Sequence, residues 1–179
     1  MENKFKNVSM YGRFAYVNMC VEKYLVTKYA DRDWSIISRE LWKGTNEYWN
    51  EFTDSFAGLI PDVFISYKDY DSDELKISKS EYEQLVKTYD GITEGLEDDA
   101  SDEVNYMLNK PFEMAMVYEG TEIGDGQESF DIIEETEQVL VKNNIALPDY
   151  TKVLFSSASE KNGWGNEFDG THLSIILNK

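Results

Sequence analysis

Met10-Tyr-Gly-Arg-Phe-Ala-Tyr-Val-Asn-Met-Cys-Val-Glu-Lys-Tyr-Leu-Val-Thr-Lys-Tyr-Ala30 decides the character of this chain. Within it Phe14, Val17, Val21, Leu25 and Tyr29 recur at three or four residues, the spacing that lines one face of an α-helix. The pattern repeats at Trp34, Ile37, Leu41 and Trp42 after the polar break Asp31-Arg-Asp33. It repeats again at Tyr48, Trp49, Phe52, Phe56 and Leu59 after Gly44-Thr-Asn46. Three consecutive helices are therefore predicted in the first third. Pro61 and the apolar run Val63-Phe-Ile65 interrupt the period, and a brief strand or an extended link is expected there.

Further along, Ser78 with Glu81, or Ser80 with Glu83, can form a capping box ahead of a helix carrying Tyr82, Leu85, Val86 and Tyr89. Gly91 is a suitable stop. The acid-rich stretch Glu94 to Glu103 precedes Val104, Met107 and Leu108, and acids in a first turn favour a helix N-terminus through its dipole. That helix is expected to end at Asn109. Pro111, well suited to a first helical position, would open another. Glu119 to Gly126, with three glycines, reads as an acidic loop, and a helix containing Phe130, Ile133, Leu140 and Val141 should end near Asn143-Asn144. Val153-Leu-Phe155 and Leu173-Ser-Ile-Ile-Leu177 are short branched or aromatic runs flanked by turn residues, the pattern of strands. The expected fold is α+β: one mostly helical domain over 1–179 with a short C-terminal antiparallel β element.

The charge is distributed unevenly. Residues 62–137 carry 23 acidic and 5 basic side chains, which is the whole formal charge of −18, whereas 1–61 and 138–179 are each balanced. A field of one sign steers an oppositely charged partner over about 8 Å at physiological salt, so the implied partner is basic. The same field disfavours nucleic acid and anionic membrane, both of which require clustered Lys and Arg. No apolar run approaches the roughly 18 residues of a membrane span, and no apolar leader is present at the start, so a soluble cytoplasmic protein is expected. With 25 aromatic residues the chain has the material for a core, unlike acidic disordered sequences.

Catalytic and metal patterns are sparse. One cysteine, Cys20, and one histidine, His172, rule out the usual N/S zinc sets. Cys20 lies inside the first helix and is expected to be a packed small hydrophobe. Asp69, Asp71 and Asp73 alternate like the first ligands of a calcium loop, but Glu74 stands where that loop needs glycine and Ser80 where it needs glutamate. No metal, cofactor or catalytic residue is therefore assigned. Two features are expected to contact a partner. One is the acidic cluster of Asp98, Asp99, Asp102 and Glu103, with Asp69, Asp71, Asp73 and Glu74 as a second group. The other is Trp164, set between Gly163 and Gly165 in a long connection, because tryptophan is enriched at interface centres.

In size, in its aromatic helical first part, in its acidic middle and in the ending Gly163-Trp-Gly-Asn-Glu-Phe-Asp-Gly170 followed by Leu173-Ser-Ile-Ile-Leu177, the chain resembles a broad group. These are the small acidic cytoplasmic immunity proteins of bacterial polymorphic or contact-dependent toxins. The resemblance implies a dedicated inhibitor without catalysis, whose partner is a cognate toxin domain such as a nuclease with a basic groove. The alternatives are a carboxylate-dependent hydrolase or transferase, and a regulatory or scaffold protein. An enzyme would gather carboxylates with perturbed pKa values in a concave site.

Overall fold

Met10–Lys28 forms the first helix, α1, in the computed structural model, which describes residues 4–92 and 99–179. Ser9 caps it, its hydroxyl accepting the Gly12 N–H at 3.1 Å. Fifteen of its nineteen residues are buried, so α1 is the central helix and not a surface helix with one wet face. Around it pack α2 (Ser35–Lys43), α6 (Asp99–Tyr118), α7 (Gln127–Lys142) and two of the C-terminal 3₁₀ turns. α3 (Trp49–Phe56) lies on α6 and α2, followed by a 3₁₀ turn and α4 (Pro61–Phe64). The helix α5 (Lys79–Tyr89) begins with the Ser78/Glu81 capping box, and the Arg39–Glu81 ion pair at 2.7 Å ties it to α2.

Burying α1 on all sides also buries its charged side chains Arg13 and Glu22, and both are answered. Arg13 donates from Nε to the Val8 carbonyl at 3.0 Å and from Nη1 to Ser129 Oγ at 2.8 Å, joining α1 to the start of α7. Burial lowers its pKa to about 10. Glu22 is fully buried, and no Lys or Arg of the described residues lies within ion-pair distance of it. It accepts instead from the Ser38 hydroxyl, from Trp42 Nε1 at 2.7 Å, from Ser174 Oγ at 2.6 Å and from the Ile175 N–H at 2.7 Å. The C-terminal segment is thus hydrogen-bonded into the core. Cys20 is fully buried, and burial pushes its thiol pKa well up, as fits an inert packed side chain.

The expected β element does not form among the described residues. Helix accounts for about 58% of the structure; among the described residues there is no sheet, and the strand-like pairing is one isolated antiparallel bridge, Val8 with Ser157. The fold is mostly helical, not α+β. Side chains explain the difference, because they take the backbone donors that a neighbouring strand would need. Asp149 and Asp169 each accept the N–H two residues on, from Thr151 and Thr171, both at 3.0 Å, and so begin the 3₁₀ turns Tyr150–Val153 and Gly170–Leu173. Ser174 Oγ then accepts from the Leu177 N–H at 2.9 Å, while the Ile175 N–H goes to Glu22. Both apolar runs are curled by an Asp-x-Thr cap before they can extend.

Two smaller expectations are also corrected. Val63-Phe64 belongs to α4, where Pro61 at the first position favours the helix, and Ile65 is its C-cap, so the segment is not extended. Pro111 lies inside α6 and does not open a new helix. Proline in a helix interior costs roughly 3 kcal/mol. Here Val104, Met107, Leu108, Met114 and Ala115, all fully buried, form one stripe running through the proline. At about 1.5 to 3 kcal/mol for each large apolar side chain, burying that stripe in one register outweighs the break.

Candidate functional site: an aromatic and acidic cleft at Trp164

Tyr48 is the N-cap of α3, with extended backbone at φ −65° and ψ 141°, and Trp49 is the first helical residue, so the chain changes direction between the two side chains. Trp49 turns inward, 4% exposed, and donates from Nε1 to the Gly44 carbonyl at 2.9 Å. Tyr48 is left 72% exposed. Tyr11, from the first turn of α1, meets Trp49 edge-on with ring centroids 5.8 Å apart. Trp164 closes the corner, at 4.9 Å from Trp49 and 6.0 Å from Tyr11. These rings and Asn50 wall a cleft of about 500 Å³, whose remaining lining is Glu119 and Gly120, just beyond α6, and Glu167.

The electrostatics of the cleft are one-sided. Glu167 is bound to Lys161, which holds its pKa below the usual carboxylate value. Glu119 accepts one hydrogen bond, from Thr53 Oγ1 at 3.2 Å, and no Lys or Arg of the described residues pairs with it. On the other side of Tyr48 an adjoining hollow of about 520 Å³ adds Glu47 and Glu51, again with no cationic partner among the described residues. Tyr11, buried behind this surface, has its phenol pushed up to about 12, first by burial and then by the charge of Glu167. Four carboxylates therefore surround Tyr48 with a single lysine among them. A larger hollow, about 630 Å³ along α6, differs in kind, because its Lys110 is already satisfied by Glu113 at 2.8 Å and Glu135 at 2.6 Å.

The expected contact residues fall in separate places. Asp69, Asp71, Asp73 and Glu74 are exposed in the loop between α4 and α5, where Asp71 accepts the Asp73 N–H at 2.9 Å. No grouping of His, Cys, Asp or Glu suited to a metal occurs among the described residues. Asp98 lies outside the described residues. Asp99 opens α6 and Asp102 stands in its first turn. Glu103 has turned inward: it pairs with Lys142 at 2.7 Å and accepts from Asn143 Nδ2 at 2.9 Å and from the Tyr24 hydroxyl at 3.2 Å. It is a joint between α1, α6 and α7. The Trp164 cleft is at the opposite end of α6 from Asp99, about 30 Å away along a 20-residue helix.

Trp164 itself is half-buried. Flanking glycines suggest a loosely held loop, but here Gly165 serves close packing. Its φ is +79°, and a Cβ there would lie 2.5 Å from Ser9 Cβ and closer still to its hydroxyl, the cap of α1. The Trp164 carbonyl accepts the Tyr11 N–H at 3.2 Å. The cleft wall is thus anchored to the start of the central helix. Tyr11, Tyr48, Trp49, Glu47, Glu51, Glu119 and Glu167 carry no sequence pattern that marks them as contact residues, apart from the adjacent aromatic pair Tyr48-Trp49. No protein-family model, curated protein or solved structure matches this chain.

Proposed function

We propose that this chain is an acidic binding protein that masks a basic surface of a protein partner, and specifically an immunity protein that neutralises a bacterial toxin of the polymorphic or contact-dependent kind. The observation that carries the reading is the cleft beside Trp164. There, exposed aromatic surface lies beside Glu119, and beside Glu47 and Glu51 of the adjoining hollow, none of which has a cationic partner among the described residues, on a chain of net charge −18. Aromatic anchors next to unpaired charge of one sign are what a protein interface with a basic partner needs. Among the described residues the carboxylates with a shifted pKa, Glu81, Glu103, Glu135, Asp149, Glu167 and Asp169, are displaced downward and so stay charged at neutral pH, as a surface that attracts a basic partner requires. No described helix is long and apolar enough to cross a membrane.

The test is to co-express the chain with a toxin domain encoded beside it and to measure growth and complex formation. Protection together with a stable complex is expected, and the association rate should fall steeply between low and physiological salt while the dissociation rate changes little. Absence of protection, or an association rate indifferent to salt, would overturn the reading.

A further inference from the structure

Building on that binding reading, we infer that the cleft between Tyr48 and Trp164 is a receptor for a single arginine side chain of the partner. Exposed Tyr48 and half-buried Trp164 put aromatic rings on the cleft wall, and Trp49 and Tyr11, on the same wall, pack against Trp164 with centroids 4.9 and 6.0 Å away. A cation over the face of such a ring within about 6 Å is attracted by the ring quadrupole. Glu119 stands at the rim with one neutral hydrogen bond and no cation among the described residues, leaving lone pairs for a donor fork. A guanidinium meets both demands, since it is planar, stacks on aromatic faces, is more weakly hydrated than an ammonium and donates to a carboxylate through two parallel N–H groups. Glu167 is the poorer acceptor because Lys161 already occupies it.

The four tryptophans make the proposal measurable without knowing the partner. Trp49 and Trp164 line the cleft, whereas Trp34 and Trp42 are buried elsewhere at 2% and 1% exposure. The indole N–H signals of the full chain are followed by NMR during titration with N-acetyl-arginine methylamide at constant ionic strength. Saturable shifts confined to Trp164 and Trp49 are expected, with no response to the neutral citrulline analogue. Glu119→Gln and Tyr48→Ala should each weaken the response at least tenfold, with unchanged Trp34 and Trp42 signals showing that the fold is intact. An equal response to citrulline, equal movement of all four indoles, or no movement would overturn the inference. Equal binding of the lysine analogue would overturn the choice of arginine. None of these outcomes touches protection against a toxin, which is read separately.

Discussion

Glu22 and Ser174 are separated by 152 positions in sequence and joined by a 2.6 Å hydrogen bond in the core, the serine hydroxyl donating to the carboxylate. Ser38 Oγ also donates to Glu22, so the 3.1 Å approach of the two serine oxygens is a consequence of their shared acceptor and not a bond between them. With Trp42 and the Ile175 N–H, four donors converge on one buried charge. Glu22→Gln would supply one oxygen for these donors and turn an NH₂ group toward them. Hydrogen bonds to charged groups contribute about 1.5 to 3 kcal/mol each, and orphaned buried donors add to the loss, so destabilisation of about 3 kcal/mol is expected in urea unfolding. Ser174→Ala should then cost less in the Glu22→Gln background than in the parent, because the two side chains share one network. Additive losses would show that they act separately.

Backbone geometry near the cleft gives a paired prediction. Gly165 at φ +79° has Ser9 against it, whereas Gly120 at φ +65° has nothing within 4 Å of the point where a Cβ would sit. A non-glycine residue in left-handed backbone costs about 1 to 2 kcal/mol, which is the whole effect expected for Gly120→Ala. Gly165→Ala adds a clash with the cap of α1 and should lose at least about 3 kcal/mol. Equal losses at the two sites would remove the packing role of Gly165.

Which parts of the fold the sequence foretells follows from how local their causes are. α1, α2, α3, α5 and α7 are set by apolar spacing and by nearby stops: Gly44-Thr-Asn46, the Ser78/Glu81 box, and Asn143-Asn144, where Asn144 takes φ +56°. The C-terminal runs have strand-like composition, yet the Asp-x-Thr caps that precede Val153 and Leu173 override it, a short-range signal present in the sequence itself. Pro111 departs from its expected position because the gain from one continuous buried stripe is tertiary. Of the cleft, only Trp164 is legible in the sequence. Its other walls come from positions 11, 48 to 50, 119, 120 and 167, which no contiguous pattern joins. Charge partition points to residues 62–137, yet Glu47, Glu51 and Glu167 lie outside that range.

Stability against pH should show two opposing trends. At pH 7 the chain carries −18 formal charge, and neutralising its excess acids relieves self-repulsion, so stability should rise modestly as pH falls toward the pI of about 4.3. Glu81, held low first by the Ser78 N–H, and Glu135, held low first by Lys110, act in the other sense. A carboxylate whose folded pKa is depressed contributes stability that is present above its unfolded value, near 4.5, and lost as pH falls through the folded value. Tm should therefore peak between about pH 4.5 and 6 and drop steeply below about pH 4. Added salt at pH 7 should raise it. A Tm highest at pH 8, or lowered by salt at pH 7, would contradict the self-repulsion.

Trp164 is both a wall of the cleft and a partial plug, and the two roles separate by measurement. Its contacts with Trp49 at 4.9 Å and Tyr11 at 6.0 Å contribute to stability, so Trp164→Ala cannot be silent. Complete removal of a buried tryptophan costs about 3 to 5 kcal/mol; for a half-buried ring about 2 kcal/mol is expected. Loss of an interface anchor costs a similar amount, about 2 kcal/mol or a thirtyfold weaker complex. Tyr48→Ala discriminates between the effects, because Tyr48 is 72% exposed and should lose affinity with stability changed by less than about 0.5 kcal/mol. If Trp164→Ala destabilises as expected while both variants bind the partner with parental affinity once folded, the cleft is a feature of packing alone and the interface lies elsewhere on the acidic surface.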